Sequence, residues 1–141
     1  MDALSIAQSG LLAAENSLVV SANNVANMGT VGKLPATSPQ VPLPAAASGP
    51  ASAYQAMDSV NISRGASGGV QSIGQPRLPS YSVGYQPDSS DANAAGLVAE
   101  PNVDSVQERV TQISAFHAYQ ANAAVLRTSA QMQNTLFSAV A

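Results

Sequence analysis

Residues 3–28 read ALSIAQSGLLAAENSLVVSANNVANM, a stretch that contains no proline and a single glycine. Two positions of a heptad repeat recur along it: Leu4, Leu11, Leu18 and Val25, and then, three residues further on, Ala7, Ala14, Ser21 and Met28. A 3-4 spacing sustained in this way predicts a long helix with a coiled-coil seam. Small residues at the second position would let another backbone approach closely. We predict that the helix ends near Asn27, where Asn27 or Gly29 would adopt the left-handed cap conformation.

A second long helix is predicted for the C-terminal part of the chain, because residues 102–141 contain neither glycine nor proline. Asp104 or Ser105 would be its N-cap, and Ser105 with Glu108 has the spacing of a capping box. Its apolar stripe shifts slightly in phase along the helix and consists of Val103, Val106, Val110, Ile113, Phe116, Tyr119, Ala123, Leu126, Ala130, Phe137 and Val140. At ~1.5 Å per residue this helix would be roughly 55 Å long.

The middle of the chain, residues 33–100, has a different composition. Eight of the nine prolines lie between Pro35 and Pro87, and residues 34–57 carry no charge, which indicates extended or irregular chain. Short β-type runs follow at 59–63, 69–73, 80–85 and 96–99. The glycine-rich stretch 65–69 is a turn between the first two runs. We therefore predict a small β-hairpin or a three-stranded patch.

These patterns together predict a mainly α fold, in which two long terminal helices pair as a coiled-coil-like core around a short Pro-rich, irregular or β-hairpin middle. The proposed division is an N-terminal core helix and turn at 1–32, a Pro/Ala-rich linker with a small β region at 33–100, and a C-terminal core helix at 101–141. The middle is too small to bury both apolar stripes, so a lone subunit would be marginal. We expect neighbouring copies or partners to complete the core. We also expect the terminal helices to be poorly ordered in the isolated subunit and to fold on assembly.

The charge and cysteine content exclude several classes of function. Charged residues make up 9% of the chain, and five basic residues with a net charge of −3 leave no cationic patch for nucleic acid. The absence of cysteine excludes disulfide frameworks and thiol catalysis. No apolar run approaches the ~18 residues of a bilayer span, and the N-terminal region lacks the basic residues of an ordinary secretory signal. We expect a protein that binds no nucleic acid, spans no membrane and carries no cleaved signal peptide.

Few residues could support catalysis or bind a metal. His117 is the single histidine, and the acidic residues Asp104 and Glu108 lie more than two helical turns from it. The oxygen-rich stretch 87–93 differs in spacing from a calcium loop and is interpreted as a turn with Asx-type bonds. The arginines are dispersed and are interpreted as solvated or paired surface charges. We expect no catalytic residue, no cofactor, no metal and no small-molecule substrate.

Two groups of residues carry a resemblance to a known family. Ser9–Ala13, Leu18–Asn27, Thr30 and Gly32 resemble the N-terminal motif of flagellar axial proteins, the family of rod, hook and hook-associated subunits, with its A-x-N-[IV]-A-N ending. A second group is similar to the proximal rod proteins of that family: Tyr85–Asp88, Asp91–Asn93, Gly96, Val98, Pro101–Val103, Ile113–Ala115, Ala118–Asn122 and Thr128. Residues 33–57 depart from the family, which usually has a charged segment there.

The resemblance implies a structural subunit of the bacterial flagellar basal-body rod, which transmits torque from the motor to the hook. Such subunits are exported through the flagellar type III channel without signal cleavage and assemble in the periplasm. Their terminal helices pair and line the inner core of a helical tube, while the middle faces outward. The implied partners are other rod subunits, further copies of the chain and the type III export apparatus.

The residues predicted to form the assembly interface lie on the two helices and are Leu4, Leu11, Leu18, Val25, Asn24, Asn27, Val106, Val110, Ile113, Tyr119, Asn122 and Leu126. Two alternatives stay open. One is another type III-exported helical protein, such as an axial, needle or translocator component, and the other is a divergent rod paralogue. A needle or translocator component would share the helical seams but lack the P-N-V and A-Y-Q-A-N segments.

Overall fold

The architecture comes from a computed structural model that describes residues 3–43, 52–65 and 68–140. Within these residues the elements follow in this order: α1 (Ala3–Asn27), β1 (Met57–Ser63), β2 (Val70–Pro76), β3 (Tyr81–Tyr85), β4 (Leu97–Pro101) and α2 (Ser105–Val140). Two long helices therefore flank a short middle that contains strands. This arrangement confirms the mainly α class predicted from the sequence.

The two helices run antiparallel and pack against each other. Asn24 of α1 bonds to Glu108 of α2, and Gly10 lies against Asn122. The two contacts are fourteen residues apart on each helix, in opposite chain directions. The helices therefore keep one antiparallel register between these contacts. Continued further, that register places the start of α1 opposite Ser129. Residues 130–140 of α2 extend beyond α1 and are all exposed.

The small residues of α1, rather than the leucines, are buried in the single chain. Ala7, Ala14 and Ser21, which share one heptad position, are buried. At the other heptad position Leu18 is 44% exposed and Val25 is 36% exposed. On α2 the buried residues are Glu108 and Ala115. These contacts are fewer than a full coiled-coil core, so the predicted coiled-coil pairing stays a prediction.

The end of α1 differs from the predicted left-handed cap. Among the described residues positive φ angles occur only at glycines, and neither Asn27 nor Gly29 has one. Instead, the main-chain nitrogen and the hydroxyl of Thr30 both donate to the Asn27 carbonyl, at 3.0 and 2.8 Å. Because Thr30 satisfies this terminal carbonyl, the helix needs no left-handed residue to end here.

The start of α2 confirms one predicted cap and contradicts another. Asp104 is the N-cap, because its Oδ1 accepts bonds from the main-chain nitrogens of Val106 and Gln107, at 2.8 and 3.2 Å. The predicted capping box of Ser105 and Glu108 is wrong. Glu108 turns its carboxylate toward α1 and Arg77 instead of back to the first turn.

The strands form two separate antiparallel pairs, which corrects the predicted single hairpin or three-stranded patch. β1 pairs with β2, with Val60 opposite Ile73, and β3 pairs with β4, with Val83 opposite Ala99. Each of the four predicted β-type runs overlaps one of the four strands. The pairing differs from the prediction because β4 pairs with β3 across a loop, so that neither strand joins the β1–β2 hairpin.

A small apolar cluster lies beside the second strand pair. It contains Leu43, Ala53, Tyr81 and Ala99, with Leu34 packed against it. Described parts of the Pro-rich linker therefore contribute to this cluster, whereas residues 44–51 of the linker lie outside the described residues. Gly32, just after α1, bonds in both directions with Ala99 of β4, at 2.9 and 3.0 Å. This bridge fixes the end of α1 to the strand that leads into α2.

Helix α1 is 25 residues long and is apolar enough, by length and composition alone, to cross a membrane. Serine, glutamine, asparagine and glutamate residues interrupt the apolar residues along this helix. In the structure the side chains of Asn16, Ser21 and Asn24 bond to the strands or to α2. One face of α1 is therefore engaged in polar contacts within the chain.

Candidate assembly interface

The side chain of Asn24 joins both helices to β1. It is fully buried, and its Nδ2 donates to the Met57 carbonyl at 2.8 Å and to Glu108 Oε1 at 3.0 Å. Its Oδ1 accepts from the Met57 nitrogen at 3.0 Å and from the Tyr54 hydroxyl at 3.1 Å. The four bonds use both donors and both lone pairs of the amide. Asn24, predicted as an interface residue, is thus a buried connection within the subunit.

Arg77 carries the charged half of the same site. Its Nη2 lies 2.8 Å from Glu108 Oε1 and 2.7 Å from Asp58 Oδ1, and its Nη1 donates to the Asn102 carbonyl at 3.3 Å. One arginine therefore connects β1, the segment after β2, and the segments before and within α2. We call Asn24, Tyr54, Asp58, Arg77 and Glu108 the polar junction.

The centre of the polar junction is the ion pair of Arg77 and Glu108, which is largely buried and fully hydrogen-bonded. The Glu108 side chain is 1% exposed, and the Arg77 side chain is 19% exposed. Among the described residues, no buried side-chain nitrogen or oxygen lacks a hydrogen-bond partner. Burial of such a pair carries a desolvation cost, and loss of one partner is strongly destabilising because it leaves an unpaired charge in the interior. The junction therefore fixes the relative placement of α1, α2 and the first hairpin.

Burial and charge shift the pKa of two of its members. Burial, together with the negative charge of Glu108, raises the pKa of Tyr54, and the nearby Arg77 charge opposes this rise. Burial disfavours the charged form of Arg77, but the hydrogen bonds and the negative charges of Asp58 and Glu108 together outweigh it and raise the pKa of Arg77 above its usual value. Arg77 therefore stays charged throughout the physiological range.

Further polar contacts hold the β1–β2 hairpin on α1. Ser9 Oγ accepts a bond from the Val70 nitrogen at 3.1 Å, and Asn16 Nδ2 donates to Ser72 Oγ at 2.8 Å. Ser59 Oγ lies 2.8 Å from Ser72 Oγ. With Asn24, these residues of α1 are spaced by about two helical turns, so they lie along one face. The hairpin thus rests on α1 through a row of hydrogen bonds.

Most of the predicted interface residues of α2 stay exposed in the single subunit. Val106, Val110, Ile113 and Tyr119 are exposed, and Leu126 is partly buried. Asn122 lies directly against Gly10 of α1, and Val110 lines the open cavity between the two helices. The exposed side chains form an apolar surface that the rest of the subunit does not cover.

The predicted interface residues of α1 divide in the same way. Leu18 and Val25 are exposed, whereas Leu4 and Leu11 are partly buried. Asn27 is partly buried and donates its Nδ2 to the Asn23 carbonyl at 2.9 Å. Thus Leu18 and Val25, at one end of the leucine position, are not buried within the single subunit.

Sequence reasoning missed three members of the polar junction. Tyr54 lies in a stretch without charge or periodicity, Arg77 was interpreted as a surface charge, and Glu108 was assigned to a capping box. Arg77 is paired, as one of the two interpretations allowed, but it is largely buried. Glu108 lies off the apolar stripe predicted for α2, so the periodicity of the sequence carries no signal for its burial.

His117 and the stretch 87–93 are the other candidate sites considered from the sequence. His117 is exposed, with its ring centroid 5.9 Å from that of Phe116. Asn93 Oδ1 accepts bonds from the nitrogens of Ala95 and Leu97, at 2.8 and 3.0 Å, which confirms the Asx-type turn predicted for 87–93. Within the described part of the chain, no three His, Asp or Glu side chains are grouped as a metal site requires.

Comparison with known proteins identifies the family. Residues 94–139 match the model of the flagellar basal body rod FlgEFG protein C-terminal family. Over 130 residues the chain is 37% identical to the flagellar basal-body rod protein FlgC of Escherichia coli O6:H1, and it is 38% identical to FlgC of Salmonella typhimurium; each alignment covers 90% of this chain and 87% of the relative. FlgC of Yersinia enterocolitica is 39% identical over 128 residues, which are 88% of this chain and 85% of the relative. The chain belongs to the FlgC family of flagellar basal-body rod proteins and is a structural rod subunit.

Proposed function

We propose that this rod subunit polymerises through its terminal helices and passes torque from the motor to the hook. In this proposal α1 and α2 pair as a coiled coil in the inner wall of a helical tube, and residues 33–100 face outward. Its partners are other rod subunits and further copies of the chain. The observation that carries the proposal is the apolar surface that α2 leaves exposed in the single subunit.

This surface extends along the whole of α2. Val106, Val110, Ile113, Phe116 and Phe137 are each more than half exposed. Burying one such side chain contributes ~1.5–3 kcal/mol, so water contact along this face is unfavourable. Contiguous exposed apolar surface of this kind is typical of protein–protein contacts. Neighbouring subunits would cover it in an assembled rod.

The leucine position of α1 supplies a second apolar surface. Its members Leu4, Leu11, Leu18 and Val25 alternate with the small residues that pack toward the rest of the chain. Small residues on the inner side allow close approach of the helices, and close-packed interiors have low compressibility. Such packing would give the stiffness that torque transfer requires.

Export through the flagellar type III apparatus, without a cleaved signal, and assembly in the periplasm are part of the proposal. The chain has no cysteine, so it could enter an oxidising compartment without forming wrong disulfides. The polar junction joins residues as far apart as Asn24 and Glu108. It can therefore form only after most of the chain has left the export channel.

Electron microscopy of basal bodies from a strain that lacks this chain tests the proposal. We expect rods that are absent or truncated, and restoration by the unaltered chain. Leu18→Asp, on the exposed leucine position, should fail to restore rods, whereas Gln8→Asp, at an exposed polar position of the same helix, should restore them. Complete rods in the deletion strain would overturn the proposal.

A further inference from the structure

We infer that the C-terminal end of α2 of one subunit inserts into the groove between α1 and α2 of a second copy of this chain. The inference rests on the proposed function, which it refines by assigning the donor surface, the acceptor surface and the direction of assembly. The donor, residues 130–140, is called the overhang. The acceptor is called the helix groove.

The overhang is an exposed, uncharged and amphipathic piece of helix. All of its residues are exposed, and none is charged. Met132, Leu136 and Val140 recur at every fourth residue, and Phe137 lies beside them. Large apolar residues at this spacing are the anchors of helices that bind in apolar grooves.

The helix groove offers space that could receive the large side chains of the overhang. It is an open cavity of about 550 Å³ between α1 and α2, with β2 along one edge. Its walls are largely made of small residues, among them Gly10, Ala13, Ala14, Ser17, Ala115 and Ala118. Among the described residues its lining carries no charge, and Asn61, Gln107 and Asn122 add polar groups to it. Small side chains on both walls leave room for large apolar side chains, as holes receive knobs between packed helices.

The overhang cannot occupy the groove of its own subunit. Helix α2 is continuous over 36 residues, and the groove is lined by the same helix between Gln107 and Asn122. Leu136 lies fourteen residues beyond Asn122, which is ~21 Å further along the helix axis. A continuous helix without glycine or proline does not fold back over that distance. The occupant is therefore another molecule.

Two features identify a second copy as that molecule. Leu136 continues the heptad position of Glu108, Ala115 and Asn122, the side of α2 that faces α1. The overhang therefore presents to a neighbour the face that earlier turns present to α1. Both surfaces are uncharged, so their contact requires no desolvation of charge.

A contact between two different surfaces of identical subunits leaves a free donor at one end and a free groove at the other. Such heterologous contacts generate rings when the rotation closes and open helical assemblies when it does not. An open helical series is the arrangement that a rod needs. The inference thus gives the assembly a direction.

Disulfide cross-linking in assembled basal bodies tests the inference, and the absence of cysteine in the chain means that every thiol on this chain is an engineered one. Cells would produce two differently tagged copies, one with Leu136→Cys and the other with Ala118→Cys. We expect a disulfide-linked dimer that carries both tags. Ser138→Cys, on the opposite side of the overhang, combined with Ala118→Cys is the matched control and should give no dimer. Ser114→Cys is a second acceptor, in case Ala118→Cys prevents assembly.

The outcomes separate this inference from the proposed function. Basal bodies that assemble but give no mixed dimer with either acceptor would overturn the inference and leave the proposed function standing. A mixed dimer of equal yield from Ser138→Cys would overturn it as well, because the contact would then not depend on the apolar face. Complete rods in cells that lack the chain would overturn the proposed function itself.

Discussion

Asn122 of α2 lies so close to Gly10 of α1 that a Cβ atom at residue 10 would be 2.5 Å from Asn122 Oδ1. Asn122 Nδ2 also donates to the Ala118 carbonyl at 2.8 Å, which holds the amide in this position. Gly10 belongs to the N-terminal family motif, and Asn122 ends the A-Y-Q-A-N segment. The two motifs that indicated the family from the sequence therefore meet in the folded subunit, where they fix the register of the helices.

We expect Gly10→Ala to destabilise the subunit despite the better helix propensity of alanine. At an interior helix position, alanine stabilises the helix by ~1 kcal/mol relative to glycine. The added methyl group would displace the Asn122 amide and break its bond to the Ala118 carbonyl, and overpacking of this kind costs ~1–3 kcal/mol. Urea unfolding followed by circular dichroism should show a net loss of about 1 kcal/mol.

The Asn122→Ala background is the control for this prediction. Removal of the amide leaves space for the methyl group, so Gly10→Ala should then raise stability by up to ~1 kcal/mol. The sign of the effect should thus reverse between the two backgrounds. An equal effect in both would show that the contact between residues 10 and 122 does not decide the register.

The polar junction predicts unequal effects for the two carboxylates that share Arg77. Glu108 is buried and Asp58 is half exposed. Glu108→Ala should lower the free energy of unfolding by ~3–5 kcal/mol, because Arg77 loses its interior partner and Asn24 loses an acceptor. Asp58→Ala should cost no more than ~1 kcal/mol, as expected for a partly exposed pair.

Arg109→Ala, next to Glu108 but on the exposed side of α2, is the matched control and should change stability by less than ~0.5 kcal/mol. The double variant Arg77→Met/Glu108→Leu should be less destabilised than the sum of its single variants, because no unpaired charge remains. Additive effects in this cycle would contradict a direct ion pair.

Much of this fold could be predicted from local signals. Heptad spacing and the absence of proline identified α1 and its end at Asn27, and Asp104 marked the start of α2. The four strands were found as short β-type runs between turn residues. In each case the signal and the element lie in the same few residues, so no knowledge of distant contacts was needed.

The remainder depended on contacts between distant parts of the chain. Glu108 has the spacing of a capping box, but Asp104 already satisfies the first turn, and the charge of Arg77 draws Glu108 inward. The side of α1 that is buried depends on whether a partner covers the leucines, and a sequence alone does not say which contact forms first. The pairing of β3 with β4 is set by the closure of the loop between them.

Alkaline pH should destabilise the subunit through Tyr54. Burial, with the charge of Glu108, raises its pKa in the folded state above its usual value of 10.0. The folded state therefore binds this proton more tightly than the unfolded chain does. The resulting stability is fully present below pH 10.0 and is lost as pH rises through the folded pKa. The pKa of Arg77 is also raised, so its contribution to stability is lost in the same way at higher pH.

Comparison with Tyr54→Phe isolates this contribution. The variant loses the bond to Asn24 Oδ1 and should be less stable at neutral pH by ~0.5–1.5 kcal/mol. Its free energy of unfolding should then fall less steeply above pH 10.0 than that of the unaltered subunit, since one titrating group has been removed. Parallel pH profiles would exclude Tyr54 as a source of the alkaline loss.

Leu18→Ala should separate stability of the subunit from assembly of the rod. Leu18 is 44% exposed in the single subunit, so its truncation should cost the isolated protein less than the ~2–5 kcal/mol of a fully buried leucine. In a rod where neighbours cover Leu18, the full cost would recur in every copy. We therefore expect a nearly unchanged unfolding transition but impaired swimming and few complete rods in electron micrographs. Leu12→Ala, at a more exposed position outside the leucine seam, should leave both properties unchanged, and normal swimming with Leu18→Ala would show that the seam is not an assembly surface.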